Sequence, residues 1–139
     1  TALTGHSLHQ IDNPAGYPQT WKHFCLDNKI VIIDLIKKIN INDILPNFED
    51  REVECKINHD LSNTDIFNIE SAFNGITFNK VLYSLTWSDR KIQKIRQIRN
   101  RINQLLLING CINNEQQIKY CLTPSRNDAY QSWNEAINK

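Results

Sequence analysis

Glu52-Val53-Glu54-Cys55-Lys56-Ile57 alternates charged and apolar side chains without a break. Strict alternation is the period of a strand. It puts Val53, Cys55 and Ile57 on an inner face and Glu52, Glu54 and Lys56 on an outer one. Along such a strand Glu54 and Lys56 lie about 7 Å apart, close enough to support each other as a plain surface pair. Upstream, residues 40–45 alternate too, and Pro46-Asn47 marks a turn. If the two strands pair as a hairpin, Asp43 comes back near Glu54. Two carboxylates that close repel unless a cation neutralises them, and hard oxygen ligands of this kind suit Mg²⁺, with Mn²⁺ as its substitute. A cation held there polarises a phosphate oxygen and orients a water, while Lys56 helps deprotonate that water or steadies charge in the transition state.

The rest of the chain supplies a frame for this pair of strands. Residues 1–20 are polar and carry His6, Pro14, Gly16 and Pro18, which reads as a linker or irregular extension. From Trp21 to Ile39 the chain turns apolar. Its length without breakers favours a helix, although the β-branched run Ile30-Val31-Ile32-Ile33 also suits a strand. Asn63 or Thr64 can cap a helix that Asn74-Gly75 ends near Phe73. Residues 80–86 read as a strand. Ser88 then caps a helix in which Ile92, Ile95, Ile98, Ile102 and Leu105 form one apolar stripe. Residues 105–108 are a short apolar run stopped by Asn109-Gly110, which suits a buried strand. Ser125 caps a last amphipathic helix carrying Tyr130, Trp133 and Ile137. Two strands joined by a long helix form a βαβ unit with parallel strands. The expectation is an α/β domain over residues 21–139, with a small mixed sheet of four or five strands flanked by helices.

The motif Asp43-(x10)-Glu54-Cys55-Lys56 resembles the signature of the PD-(D/E)XK nuclease superfamily, and Val53-Glu54-Cys55-Lys56 is similar to its Mrr-type branch. The resemblance covers roughly residues 28–110. It implies a restriction-endonuclease-like core and metal-dependent hydrolysis of phosphodiester bonds. Asp43 and Glu54 would be metal ligands together with the carbonyl of Cys55, and Lys56 the catalytic lysine. Asp34 would be an added acid from the first helix, with Asp27 a weaker candidate. Asn42 stands where the family has a Gly, and no Pro precedes Asp43. The implied activity is that of a Mg²⁺-dependent DNA endonuclease, the effector module of a restriction or defence system, with RNA as the other substrate. A homodimer would serve double-strand cleavage. A second motif, Arg99-Asn100-(x3)-Gln104, resembles the Arg-Asn-(x3)-His of HEPN ribonucleases, but Gln104 replaces the His and that family is all-helical.

Charge separates along the chain more than its total of +1 shows. Residues 43–70 hold eight acids against Arg51 and Lys56. Residues 90–101 hold six bases (Arg90, Lys91, Lys94, Arg96, Arg99, Arg101) and no acid. An acidic stretch suits cations and a basic helix suits phosphates, and the two also neutralise each other within one fold. Lys91, Lys94, Arg96, Arg99 and Arg101 are the expected nucleic-acid contacts. The class that competes with the nuclease is a non-catalytic domain of the same fold, binding nucleic acid or an acidic protein through this helix. With 139 residues the chain fits one domain, and without Met and with Thr1 first it reads as part of a longer protein with other domains. No apolar run reaches the length of a membrane span. The four Cys lie far apart in apolar contexts and read as free thiols of an intracellular protein, cytoplasmic or nuclear. His6-x-x-His9 and His23-x-Cys25 match no tight zinc spacing.

Overall fold

Ile92, Ile95, Ile98, Ile102 and Leu106, at spacings of three and four, form the stripe around which the molecule packs, each no more than 3% exposed. The structure, a computed structural model, describes residues 19–42, 50–84, 91–122 and 128–139. Its elements are α1 (Gln19–Asp27), β1 (Ile36–Ile39), α2 (Asp50–Lys56), β2 (Thr64–Ile66), α3 (Ile69–Ala72) and β3 (Val81–Ser84). They continue with α4 (Gln93–Ile108), a single 3-10 turn (Glu115–Gln117), β4 (Ile118–Cys121) and α5 (Ala129–Asn138). The chain is thus mixed α/β. In place of one sheet of four or five strands, the described residues form two sheets of two strands each.

β1 and β2 pair antiparallel, Ile36 with Ile66 and Ile39 with Thr64, with an irregularity between Ile36 and Lys38. β3 and β4 pair parallel, Val81 with Ile118 and Tyr83 with Tyr120. The expected βαβ unit exists, with its second strand at Ile118–Cys121 instead of 105–108. Residues 105–108 instead extend α4, because Leu105 and Leu106 fall three and four positions after Ile102 and continue the helical stripe. α4 ends where Asn109-Gly110 said the apolar run would. Gly110 takes φ +70°, its N–H reaches the Leu107 carbonyl at 3.1 Å, and the Cys111 N–H reaches that of Leu106 at 2.9 Å. That is a Schellman cap, completed by burial of both Leu106 and Cys111.

The first apolar stretch is shorter as a helix than expected. α1 stops at Asp27 through the same motif: the Lys29 N–H bonds the Leu26 carbonyl, the Ile30 N–H bonds that of Cys25, and Lys29 sits at φ +55°. The run Ile30–Ile33 belongs to no helix or strand, and the strand begins at Ile36. The helix expected over 63–73 is also smaller. Thr64–Ile66 pairs as β2, and only the four residues of α3 are helical, capped by the Asn68 side chain accepting from the Ser71 N–H at 3.1 Å.

The largest departure is at 52–57, which is helix through Lys56 and not strand. Six alternating residues contain an apolar pair at i and i+4, Val53 and Ile57, and that pair faces one way in either geometry. Asp50 and Glu52 in the first turn and Lys56 in the last complement the helix dipole. Cys55, inside on a strand, lies exposed on the helix. Ile57 reaches the core and Val53 packs against it.

α5 packs on β4. The Trp133 indole donates to the Leu122 carbonyl at 2.8 Å, and the Ser132 hydroxyl accepts from the Leu122 N–H at 3.0 Å. The Lys80 ammonium donates to the carbonyls of Ala136, at 3.3 Å, and Ile137, placing a cation at the C-terminal end of α5. Ser88 and Ser125, the expected caps of α4 and α5, lie outside the described residues, as do the turn at Pro46, His6, His9 and Arg90. The extension expected over 1–20 lies outside them up to residue 18. Among the described residues no helix is long and apolar enough to cross a membrane, and all four cysteines are free.

Candidate functional site

Helix geometry at α2 decides what Glu54 does. Its side chain is 7% exposed and points at the first turn of α4. One carboxylate oxygen accepts from the Lys94 N–H at 2.6 Å and the other from the Ile95 N–H at 2.9 Å. These are among the amides at a helix start that have no partner within the helix. Ile92, at the N-cap position, has no side chain able to serve them. Glu54 supplies the cap from a neighbouring helix and puts a negative charge at the positive end of α4. The reverse bond is also present. The Lys94 ammonium donates to the Glu54 carbonyl at 3.0 Å and the Ile57 carbonyl at 2.6 Å, where α2 ends. Each helix caps the other with the charge its dipole favours.

A third residue closes the joint. The Asn63 amide donates to the Lys56 carbonyl at 2.8 Å and to the Asn40 carbonyl at 3.3 Å, and its oxygen accepts from the Asn58 N–H at 2.9 Å. Asn63, expected to start a helix, instead ties the end of α2 to the end of β1.

The described residues hold four of the expected catalytic set, of which Glu54, Cys55 and Lys56 are consecutive on α2. Asp43 lies outside the described residues. Asp34 is exposed just ahead of β1, Cys55 is exposed, and Lys56 is half-buried at the last turn of α2. The described residues contain no group of three or more His, Cys, Asp or Glu side chains able to hold a metal ion. The partner that neutralises Glu54 is the start of α4, in the role the hairpin arrangement reserves for a cation.

The expected phosphate contacts divide by helix face. Lys94 is committed to α2. Lys91 and Arg101 are exposed. Arg96 and Arg99 are half-buried, and helical periodicity puts them on the flank opposite Lys94. On that flank the Arg99 guanidinium lies over the Tyr120 ring, 5.0 Å from its centroid. Its Nε and Nη2 both donate to the Asn100 side-chain oxygen, at 3.1 and 2.7 Å. Tyr120 stacks on Tyr83 with centroids 5.9 Å apart and rings inclined by 22°. The Tyr83 hydroxyl donates to the Asn103 side-chain oxygen at 2.6 Å. Burial, with Tyr120 adding to it, pushes Tyr83 ionisation well above the ordinary tyrosine range despite Arg99, so this hydroxyl stays a donor.

Tyr120 is 47% exposed. With Lys119 it forms one rim of an open cleft of about 480 Å³ against α5, lined also by Leu122, Gln131, Ser132 and Glu135. Neither Tyr120 nor Tyr83 was singled out from the sequence. The available signal was β4 itself: Ile118-Lys119-Tyr120-Cys121 is rich in strand formers, but at four residues it is too short to show a period. Arg99-Asn100, the pair that resembles the HEPN motif, forms a side-chain contact here within a mixed α/β chain. Comparison with known proteins returns no matching family model, no similar curated protein and no similar solved structure.

Proposed function

We propose that this chain is a nucleic-acid-binding domain whose contact surface is the outer side of α4 together with β4. One observation carries the reading. The stripe of an acid-free helix from Ile92 to Leu106 faces the core, which leaves Arg101, with Lys91 just ahead of the helix, exposed and places Arg96 and Arg99 half-buried together on one flank. Phosphates are the ligand such a surface suits, because Lys and Arg contacts release condensed counterions and need no base sequence. The nuclease reading draws no comparable support, since Glu54 serves as a helix cap.

The test is titration of a labelled oligonucleotide over a range of NaCl. The Arg96→Ala/Arg99→Ala variant should bind every sequence more weakly, with a salt slope shallower by about two units. Unchanged affinity and slope would make this flank a solvated face only. Plasmid cleavage in Mg²⁺, lost in both Asp43→Asn and Lys56→Ala, would restore the nuclease reading in its place.

A further inference from the structure

We infer that Asn74 is a site of spontaneous deamidation in the folded protein, and that the fold protects Asn109, the other asparagine followed by glycine. An asparagine reacts when the main-chain nitrogen of the next residue attacks its side-chain carbonyl carbon. As the Gly75 nitrogen bonds to the Asn74 Cγ, the Cγ–Nδ2 bond breaks. Ammonia leaves with the proton given up by the Gly75 N–H, and a five-membered imide remains. Water then adds to either imide carbonyl and opens the ring. The product is aspartate or its β-linked isomer, with a new carboxylate in either case. Water is consumed, ammonia is released, and nothing is oxidised or reduced.

Glycine favours the attack because it has no Cβ to hinder close approach. Both asparagines have that advantage; they differ in whether the reacting groups are tied down. At Asn109 both are. Its Nδ2 donates to the Leu105 carbonyl at 2.8 Å, and the Gly110 N–H donates to the Leu107 carbonyl at 3.1 Å within the cap of α4. At Asn74 neither is. Among the described residues, the Asn74 side chain and the Gly75 N–H make no hydrogen bond. Asn74 and Gly75 are exposed, whereas Asn109 is half-buried. A Cβ added at Gly75 would meet nothing within 4 Å, so the space beside it is open.

The reactive turn can also rearrange without the core. Its backbone follows a type II pattern: the Ile76 N–H bonds the Phe73 carbonyl at 3.0 Å, and Gly75 sits at φ +73°. Phe73 anchors one end, packed on Phe67 and Phe78 with ring centroids 5.4 and 5.0 Å away. The Phe78 N–H anchors the other on the Cys111 carbonyl at 2.7 Å. Residues 74–77 between them are exposed, so local opening gives the geometry of attack while the anchors hold.

The experiment incubates native protein in warm, mildly alkaline buffer and follows both asparagine peptides by mass spectrometry, with the chain in denaturant as reference. In denaturant the two should convert at similar rates. In the native protein Asn74 should convert, and Asn109 should lag by roughly thirty-fold, the factor for releasing two hydrogen bonds of ordinary net strength. Asn74→Gln, whose side chain would have to close a larger ring, should abolish the acidic form that appears on isoelectric focusing. Asn74 unmodified in native protein while it converts in denaturant, or native Asn109 converting as fast as Asn74, would overturn the inference.

Discussion

Cys55 reports on its helix more simply than its charged neighbours do. On a strand it would lie inside with Val53 and Ile57; on α2 it is exposed, while Cys111 and Cys121 are buried with their thiols pushed above the ordinary range by that burial. Thiolate is the reactive form, so the two buried residues are doubly protected. Brief alkylation of native protein at neutral pH, followed by peptide mass spectrometry, should label Cys55 fully and leave Cys111 and Cys121 unlabelled until denaturant is added. A protected Cys55 would return residues 52–57 to a strand. The residue scale is also where the sequence misleads most. Glu54 and Lys56 have the types and spacing of a catalytic pair, but chemistry at a carboxylate depends on what faces it. Two backbone amides forty and forty-one positions away leave no trace in the local string.

Two helices of this chain, α1 and α4, stop by one mechanism applied with different residues. α4 ends on Gly110 and α1 on Lys29, both at positive φ. A left-handed conformation costs a residue with a Cβ about 1–2 kcal/mol, which Gly avoids. Lys29→Gly should therefore raise stability, by about 1 kcal/mol after the entropy Gly adds to the unfolded chain. Gly110→Ala should lower it by about 1 kcal/mol through the backbone alone, since an added Cβ there meets nothing within 4 Å. Urea midpoints measure both; a destabilised Lys29→Gly would mean that the Lys side chain does more than occupy the cap.

Legibility at this scale followed length. α4 can be read from its stripe, though not its end, since Asn109-Gly110 closes a run that reads as a separate strand, and α5 and β3 can be read from their patterns. The six residues at 52–57 suit both periods because Val53 and Ile57 are four apart. Residues 105–108 looked like a strand because an apolar run at the end of an amphipathic helix has the composition of a buried strand. β4 is held by partners that only the fold supplies. Its parallel register with β3 is steadied by Gln117, whose amide donates to the Phe78 and Asn79 carbonyls while its oxygen accepts from the Asn113 and Asn114 N–H groups.

At the scale of the molecule, the two small sheets of the described residues depend on one helix. Neither two-stranded sheet would be stable alone in water, and both lend residues to the core around α4. Tyr83 and Ile118 belong to the parallel pair, and Ile36 and Ile66 to the antiparallel one. The joint of α2 with α4, closed by Asn63 to the end of β1, connects the antiparallel pair to the long helix. Its central bonds are charge-assisted and buried, so losing the Glu54 carboxylate leaves two amides underserved and removes about 2–4 kcal/mol. Both oxygens of this carboxylate are occupied by amides of α4.

The two readings of Glu54 therefore predict opposite signs in one measurement, the Tm of wild-type and Glu54→Gln protein with and without millimolar MgCl₂. A carboxylate in a metal site repels its neighbours when the metal is absent, so its amide would melt higher without Mg²⁺, and Mg²⁺ would raise only the wild type. A carboxylate that caps α4 should do the reverse. Glu54→Gln should melt lower by about 5 °C or more, with Mg²⁺ leaving both proteins unmoved. A Glu54→Gln protein that melts higher than wild type, together with a wild type that Mg²⁺ stabilises, would contradict the reciprocal cap on which this account rests.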